Sequence, residues 1–244
     1  MSVMMYSFWD KPDQTPVAAA IVNWRSFFPQ FKVIGDTDIE AMIEDDFPQY
    51  LDLYRHIRIP TCKSDVAILL SLWRHGGLYV DIHCGVVDAA GVLRMVEELS
   101  AYEIILYSKD LRKEPRPAEV LRPLNSVIVA RPGTGIMRRS IEMAFANLDA
   151  HWQAERATPE FVPYDIWSLT GPGVLEHTVC IPPLVRWEPP LGLRPENEGK
   201  VKFVQEGPGA PIRRYLFHTY NPPGTHWSKR QQNERLFRSG GASD

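Results

Sequence analysis

The segment from Lys63 to His83 constrains the fold more than any other part of this chain. After Ser64, a residue type that often caps helices, apolar residues recur at the spacing of one helical face: Val66, Leu69, Leu70 and Trp73. Gly76 stands where a helix C-cap needs a positive φ, and residues 78–80 have the composition of a short buried strand. The segment therefore predicts a helix, a glycine turn and a returning strand.

The lengths of these two elements predict where their polar ends meet. About eleven helical residues carry the chain ~16 Å in one direction. Four extended residues bring it ~13 Å back. Asp65, near the predicted helix start, and Asp81, at the end of the strand, are therefore expected to open onto one cleft. A helix N-terminus at that place would favour phosphate.

The pattern of this segment resembles a known family. Ser64-Asp65, the apolar helix, and then the glycines, tyrosine and aspartate of residues 76–81 resemble the glycosyltransferases whose sugar-binding region contains a DXD motif. That grouping includes capsular-polysaccharide synthesis proteins, yeast-type mannosyltransferases and glucosylating bacterial toxins. Two positions depart from the family pattern. Ile68 stands where the family usually has Arg, and His83 stands where it has the second aspartate of the DXD motif.

The composition excludes some classes of protein. A net charge of −3 and a pI of about 6.2 argue against a nucleic-acid partner. No apolar run approaches the ~20 residues of a transmembrane helix, and the N-terminus lacks a signal-peptide pattern. Three scattered cysteines indicate reduced thiols and a cytoplasmic location. We expect one domain over residues 1–238 and a disordered tail over residues 239–244.

The order of predicted elements indicates an α/β fold. A strand over residues 3–9, a helix over residues 17–28 and a strand over residues 31–34 open the chain as a doubly wound sheet does. Further elements are predicted beyond the central segment, with proline-rich loops between them: helices near residues 92–99, 136–148 and 174–180, and strands near residues 104–107, 126–130 and 215–218. The resemblance implies a GT-A-type Rossmann-like, doubly wound fold, with a mostly parallel sheet and a loop-rich C-terminal half.

Asp36 and Asp38 form a second Asp-x-Asp pattern. They precede an apolar helical run, so a cap or a first-turn charge is the favoured interpretation of Asp38, and a metal site is the weaker alternative.

The resemblance also implies which residues contact a nucleotide-sugar donor. Trp9, at the end of the first strand, would stack on the base, although a tryptophan that fills the core is an equal alternative. Asp65 would bind hydroxyl groups of the ribose or the sugar. Asn125 is a candidate for the sugar pocket, with an ordinary residue at a strand start as its alternative. The other donor-binding candidates come from the G-G-x-Y and T-G-P patterns and the C-terminal segment: Gly77, Tyr79, Thr170, Gly171 and Trp227.

A divalent cation is implied by the same family. Asp81, His83 and a C-terminal His218 would hold it beside the diphosphate, and this set of one oxygen and two nitrogens favours Mn²⁺ over Mg²⁺. The alternative is that His83 is only a polar residue at a strand end. A zinc site is disfavoured because the cysteines and histidines show no C-x-x-C spacing.

Two functions are therefore left open. The first is an enzyme that moves a hexose from a UDP- or GDP-sugar to a saccharide or other acceptor, with Asp65 and Asp81 as its catalytic carboxylates. The resemblance implies that this transfer retains the anomeric configuration. The second is a catalytically idle relative that binds a nucleotide sugar or a saccharide, which the departures at Ile68 and His83 support. The sequence contains no G-x-S-x-G, P-loop or G-x-G-x-x-G motif.

Overall fold

The computed structural model describes residues 3–109, 122–183, 190–217 and 226–238. The helices in these ranges are α1 Ala18–Phe27, α2 Asp36–Asp46, α3 Leu51–His56, α4 Pro60–His75, α5 Ala89–Glu97, α6 Gly135–Arg156, α7 Ile166–Leu169, α8 Pro172–Val179 and α9 Trp227–Arg230. The strands are β1 Met5–Phe8, β2 Lys32–Ile34, β3 Gly77–Val80, β4 Gly85–Val86, β5 Ile104–Lys109, β6 Arg122–Ala130, β7 Cys180–Ile181, β8 Gly192–Leu193, β9 Val201–Gln205 and β10 Ile212–Arg213.

Six of the strands in the described ranges form the central sheet, in the order β2-β1-β3-β6-β5-β9. The pairs β1–β2, β1–β3 and β5–β9 are parallel, whereas β6 runs antiparallel to both β3 and β5. Strand β6 is thus reversed against an otherwise parallel sheet. This arrangement confirms the predicted α/β class with a mostly parallel sheet.

Helices cover both faces of the sheet because its central strands are buried on both sides. Tyr6 and Tyr79 face one hydrophobic cluster, to which α2, α4, α6 and α8 contribute. Met5, Leu78 and Val80 face a second cluster, to which α1 and α5 contribute. Alternate residues of β1 and β3 therefore point into different cores, as the period of two in a strand requires. This three-layer arrangement is that of a doubly wound fold.

The central helix starts earlier than the sequence suggested. α4 begins at Pro60, whose missing N–H and fixed φ suit the first helical position. The prediction of an N-cap at Ser64 is therefore wrong, and Asp65 lies in the second turn rather than at the helix N-terminus. The hydroxyl of Ser64 lies 3.1 Å from that of Tyr79 instead. The glycine turn is confirmed, with Gly76 at φ 63°.

The C-terminal segment also differs from its prediction. Residues 215–217 form turns after β10 and not a strand. Tyr215 has a φ of 57°, a left-handed backbone conformation that a strand cannot contain. His218 and residues 239–244 lie outside the described ranges. The single domain over residues 1–238 stays a prediction.

Three smaller findings concern α2, β6 and membrane spans. Asp38 accepts a hydrogen bond from the Gly35 backbone N–H at 2.9 Å, which confirms it as a cap of α2.

Asn125 lies within β6 rather than just before it, because that strand begins at Arg122. None of the helices in the described ranges has the length and apolarity that crossing a bilayer requires.

Candidate active site

A cavity of about 460 Å³ opens at the C-terminal ends of β1 and β3. Trp9 follows β1 and Asp81 follows β3, and both line this cavity. Ligands of open α/β sheets bind at such carboxyl ends. The other described residues that line it include Asp10, Lys11, Ser64, Asp65, His83, Asn125, Trp167, Gly171, Arg214, Tyr215, His226, Trp227 and Arg230. Asp65 and Asp81 thus open onto one cleft, as predicted from the similar lengths of the helical part that follows Asp65 and of the returning strand.

Asp65 is held by two side chains from distant parts of the chain. Asn125 Nδ2 donates to one carboxylate oxygen at 2.5 Å, and Thr170 Oγ1 donates to the other at 2.8 Å. Asp65 is only 3% exposed. Burial raises the pKa of Asp65 well above its usual range, against the two hydrogen bonds, and the negative charge of Asp81 raises it further. The carboxylate is therefore fixed in position and weakly solvated.

Asp81 sits in a similarly unfavourable environment for a charge. Its side chain is 22% exposed. Burial raises the pKa of Asp81 to about 7, although the guanidinium of Arg214 acts to lower it. Near neutral pH, Asp81 can thus be either protonated or charged, and a cation or a proton can compete for it.

His83 packs against the C-terminal segment. Its ring stacks on that of Tyr215, with centroids 4.6 Å apart and an interplanar angle of 5°. The backbone N–H of Phe217 donates to the His83 carbonyl at 3.2 Å. Strand β10, just before Tyr215, pairs with β4, just after His83. These contacts bring residues 212–217 against the end of β3. Local sequence patterns do not predict this contact between distant segments.

Trp9 combines features of both interpretations made for it. It lines the cavity and is partly exposed, yet its ring also packs against the small hydrophobic cluster of Val17, Ala20, Ile21 and Ile82. Its indole N–H donates to the Asp13 carbonyl at 2.8 Å, and Lys11 Nζ lies 5.8 Å from the ring centroid. One part of the ring is thus anchored and another faces the space where a base could stack.

Two further donor-binding candidates line the cavity from the second half of the chain. Gly171 is the N-cap of α8, and an added Cβ there would lie 3.1 Å from the Ile166 carbonyl. Trp227 begins α9, where the His226 side chain accepts a hydrogen bond from the Ser228 backbone. Both residues line the cavity, and their contact with a donor stays a prediction.

Three candidates lie behind the cavity wall and not on it. Tyr79 is fully buried in the core, and its hydroxyl lies 3.1 Å from that of Ser64. Gly77 has a φ of 94°, and a Cβ there would lie 2.1 Å from the Met4 carbonyl, so this glycine serves strand packing. Direct donor contact by these two residues is therefore corrected to a structural role. Thr170, which is 2% exposed, acts on the cavity through its hydrogen bond to Asp65.

Two of the three predicted metal ligands, Asp81 and His83, lie together in the cavity lining. Asp81 Oδ2 and His83 Nε2 lie 3.9 Å apart, close enough for both to approach one ion. Within the described ranges, no group of three His, Cys, Asp or Glu residues could hold a metal ion. His218, the third predicted ligand, lies outside them. The donor set therefore fits a divalent ion that also takes oxygens from bound phosphates, as ions in nucleotide sites commonly do.

Residues 14–113, somewhat less than half of the chain, match the family model described as a glycosyltransferase sugar-binding region containing a DXD motif. The matched part of the chain is therefore similar to such a region. It contains Asp65, Asp81 and His83, and the match supports a glycosyltransferase enzyme. Regions of this kind generally bind a divalent metal. Trp9, Asn125, Thr170 and the C-terminal residues of the cavity lie outside the matched range.

Solved structures give weaker similarities. The chain is 16% identical to a structure titled PaToxG Glycosyltransferase, with a TM-score of 0.43, covering 72% of this chain and 68% of that one. It is 10% identical to the ligand-free glycosyltransferase domain from the YGT toxin, with a TM-score of 0.35, covering 66% of this chain and 52% of that one. Both TM-scores are below 0.5, and neither similarity carries weight for fold or function. No curated protein matches the chain.

Sequence reasoning missed several residues of the cavity. Arg214 and Tyr215 were placed only in or beside a predicted strand, and neither Trp167 nor Arg230 stood in a recognisable motif. The adjacent arginines Arg213 and Arg214, close to the C-terminal histidine that the resemblance singled out, were the available signal. Which of the two faces the cavity depends on the turn at Tyr215.

Proposed function

We propose that this chain transfers a hexose from a nucleotide-diphosphate sugar, with UDP or GDP as the nucleotide, to a saccharide or other acceptor. The observation that carries this proposal is the position of Asp65, which lines the same cavity as Asn125 and Asp81. Asn125, from β6, and Thr170, from the turn before α8 and behind the cavity wall, both donate hydrogen bonds to it. A buried carboxylate whose two oxygens are both held by donors is preorganised to accept hydrogen bonds from a ligand in one fixed direction.

The proposed roles follow the positions of the side chains. Trp9 offers its ring to the base. Asp65, positioned by Thr170, faces hydroxyl groups of the ribose or the sugar. Asp81 and His83 would hold the divalent ion together with the diphosphate oxygens, and Mn²⁺ is proposed because imidazole suits it better than Mg²⁺. When bound, that ion supplies positive charge to the leaving diphosphate.

Two finer features belong to the proposal, and the first of them rests on the resemblance alone. We propose that the transfer retains the anomeric configuration, and NMR of the product anomer in the first minutes of reaction tests this. We also propose a cytoplasmic location, supported by the three cysteines, Cys62, Cys84 and Cys180, which are all buried and unpaired.

The experiment is a screen of the purified protein against UDP- and GDP-hexoses, with Mn²⁺, with Mg²⁺ and with EDTA. Release of nucleotide is measured first without and then with saccharide acceptors. Asp81→Asn and Asp65→Asn should each abolish release. Asp52→Asn is the matched control, because this carboxylate is 75% exposed and lies outside the cavity. Release that survives Asp81→Asn unchanged would contradict the proposed site.

An idle relative that binds the donor without transferring it is the second candidate. The stacking of His83 on Tyr215 favours it, because a ring held this way at the second position of the DXD motif has a structural reason to be there. Calorimetry separates the candidates: this alternative predicts binding of a nucleotide sugar with no release of nucleotide under any of the metal conditions.

A further inference from the structure

A cationic side chain that no sequence motif marked faces the same cavity as Asp81 and His83. We propose that Arg214 binds the diphosphate of the donor directly, so that nucleoside diphosphates bind to this protein even when no divalent ion is present. This inference rests on the proposed function, since it assigns a further binding residue to that site. It concerns Arg214 itself and is compatible with an ion at Asp81 and His83.

The position of Arg214 is set by the segment that crosses the end of β3. Arg213, at the end of β10, pairs with Gly85 of β4, and the Phe217 N–H donates to the His83 carbonyl. Gly85 lies so close to this segment that an added Cβ would be 2.5 Å from the Leu216 side chain. Between these anchors, Arg214 projects into the lining of the cavity.

The guanidinium group is already oriented. Nη1 lies 2.8 Å from Glu206 Oε2, Nη2 donates to the Tyr215 hydroxyl at 2.7 Å, and Cζ lies 4.7 Å from the centre of the Tyr215 ring. The side chain is 12% exposed, and its Nε has no hydrogen-bond partner among the described residues. A buried N–H without an acceptor is energetically unfavourable and needs an explanation. A ligand that brings oxygen atoms into the cavity would supply the missing acceptor after a small adjustment of the Arg214 side chain.

The chemistry of the neighbouring residues indicates which ligand that would be. Arginine presents planar donors that match phosphate oxygens, and it keeps its charge at any physiological pH. A DXD motif has two aspartates, whereas this chain has Asp81 and His83. The site therefore carries one negative charge fewer and repels a phosphate less. Arg214 beside Asp81 and His83 therefore creates a place for an anionic group at the end of β3. In a nucleotide sugar, the diphosphate is that group.

The test is isothermal titration calorimetry with UDP and GDP in EDTA, using the full chain. Arg214→Ala should weaken the binding of the nucleoside diphosphate by about tenfold or more, the scale of a lost hydrogen bond between charged groups. Arg214→Lys should give an intermediate loss, because it keeps the charge without the planar donors. Arg213→Ala is the matched control: it removes the same charge from an exposed neighbour outside the cavity and should bind as the wild type does.

A second ligand series separates diphosphate contact from a general change of the site. Affinity for uridine or guanosine should be the same in wild type and in Arg214→Ala, as should the unfolding midpoint to within a few degrees. Equal affinity of both proteins for the diphosphate would overturn the inference, and so would an equal loss for nucleoside and diphosphate. Should Arg214→Ala fail to fold, Arg214→Gln, which keeps much of the side-chain volume, is judged by the same criterion.

The failure of this inference can be told from the failure of the proposed function. If the wild type binds nucleotide and releases it from a sugar while Arg214→Ala binds equally well, the inference alone is wrong. If the wild type binds neither UDP nor GDP with or without Mn²⁺, the proposed function and the inference are both wrong.

Discussion

Asp81→Asn should stabilise the folded protein above neutral pH, although it removes a residue of the site. Burial raises the pKa of Asp81 from an ordinary value of 3.8 to about 7. The folded chain therefore binds this proton more tightly than the unfolded chain does. Between those two pKa values the folded state carries more protons, so stability falls as the pH rises. Asparagine cannot ionise and avoids that loss.

The magnitude follows from the size of the shift. About three pKa units at 1.36 kcal/mol each give about 4 kcal/mol as an upper value for the cost of charging Asp81 in the folded state. Well below pH 3.8 the aspartate is protonated in both states, and this cost disappears. The difference in unfolding free energy between Asp81→Asn and wild type should therefore grow from pH 4 to pH 7 and then level off. A constant offset from altered hydrogen bonding does not affect that shape.

The measurement is urea unfolding at half-unit intervals from pH 4 to pH 8.5, in EDTA and without nucleotide, so that neither a cation nor a phosphate charges the site. Asp52→Asn, at an exposed aspartate, is the control and should give a difference that changes little with pH. A difference for Asp81→Asn that is flat across the range would refute the argument that burial makes this carboxylate costly. So would one that falls as the pH rises.

Three further predictions test other parts of the structure. Trp9→Ala should weaken nucleotide binding by roughly 1–3 kcal/mol, the range for base stacking; calorimetry checks this, and a large loss of stability with unchanged affinity would assign Trp9 to the core. His83→Asp should shift metal preference from Mn²⁺ towards Mg²⁺, since carboxylates suit hard cations; titrations of both ions with UDP present check this, and an unchanged preference would remove His83 from the ligands. Glu155→Gln should destabilise the fold by about 1.5–3 kcal/mol at neutral pH, because Glu155 accepts hydrogen bonds from His151 and from the backbone of residues 236 and 237. Burial acts to raise the pKa of Glu155 but these bonds lower it overall, so the difference should shrink as the pH falls below its unperturbed value of 4.5; urea unfolding at pH 7 and pH 3 checks this.

Much of the fold was determined by local sequence patterns. The apolar face of α4, the glycine at its end and the buried residues of β3 predict a helix and a returning strand, because periodicity and a positive φ are properties of short segments. The helical part that follows Asp65 and the strand β3 have similar lengths, which was enough to place Asp65 and Asp81 at one cleft. The early order of strand, helix and strand gave the α/β class for the same reason.

The start of α4 is a point that local sequence patterns did not predict correctly. Ser64 is an acceptable cap, but Ile59 and Cys62 are buried in the main core, and Pro60 is a suitable first residue, so packing extends the helix by a turn. This moved Asp65 from the helix end into the helix. Its environment then came from Asn125 and Thr170, which are far away in sequence.

The cationic side of the cavity was decided by tertiary structure alone. Arg213 and Arg214 are identical residues side by side, and no local pattern distinguishes them. Pairing of β10 with β4 and the left-handed backbone of Tyr215 leave Arg213 exposed and direct Arg214 towards Glu206 and the cavity. Contacts between distant segments are determined by the packing of the whole core. The periodicity of the sequence therefore does not predict them.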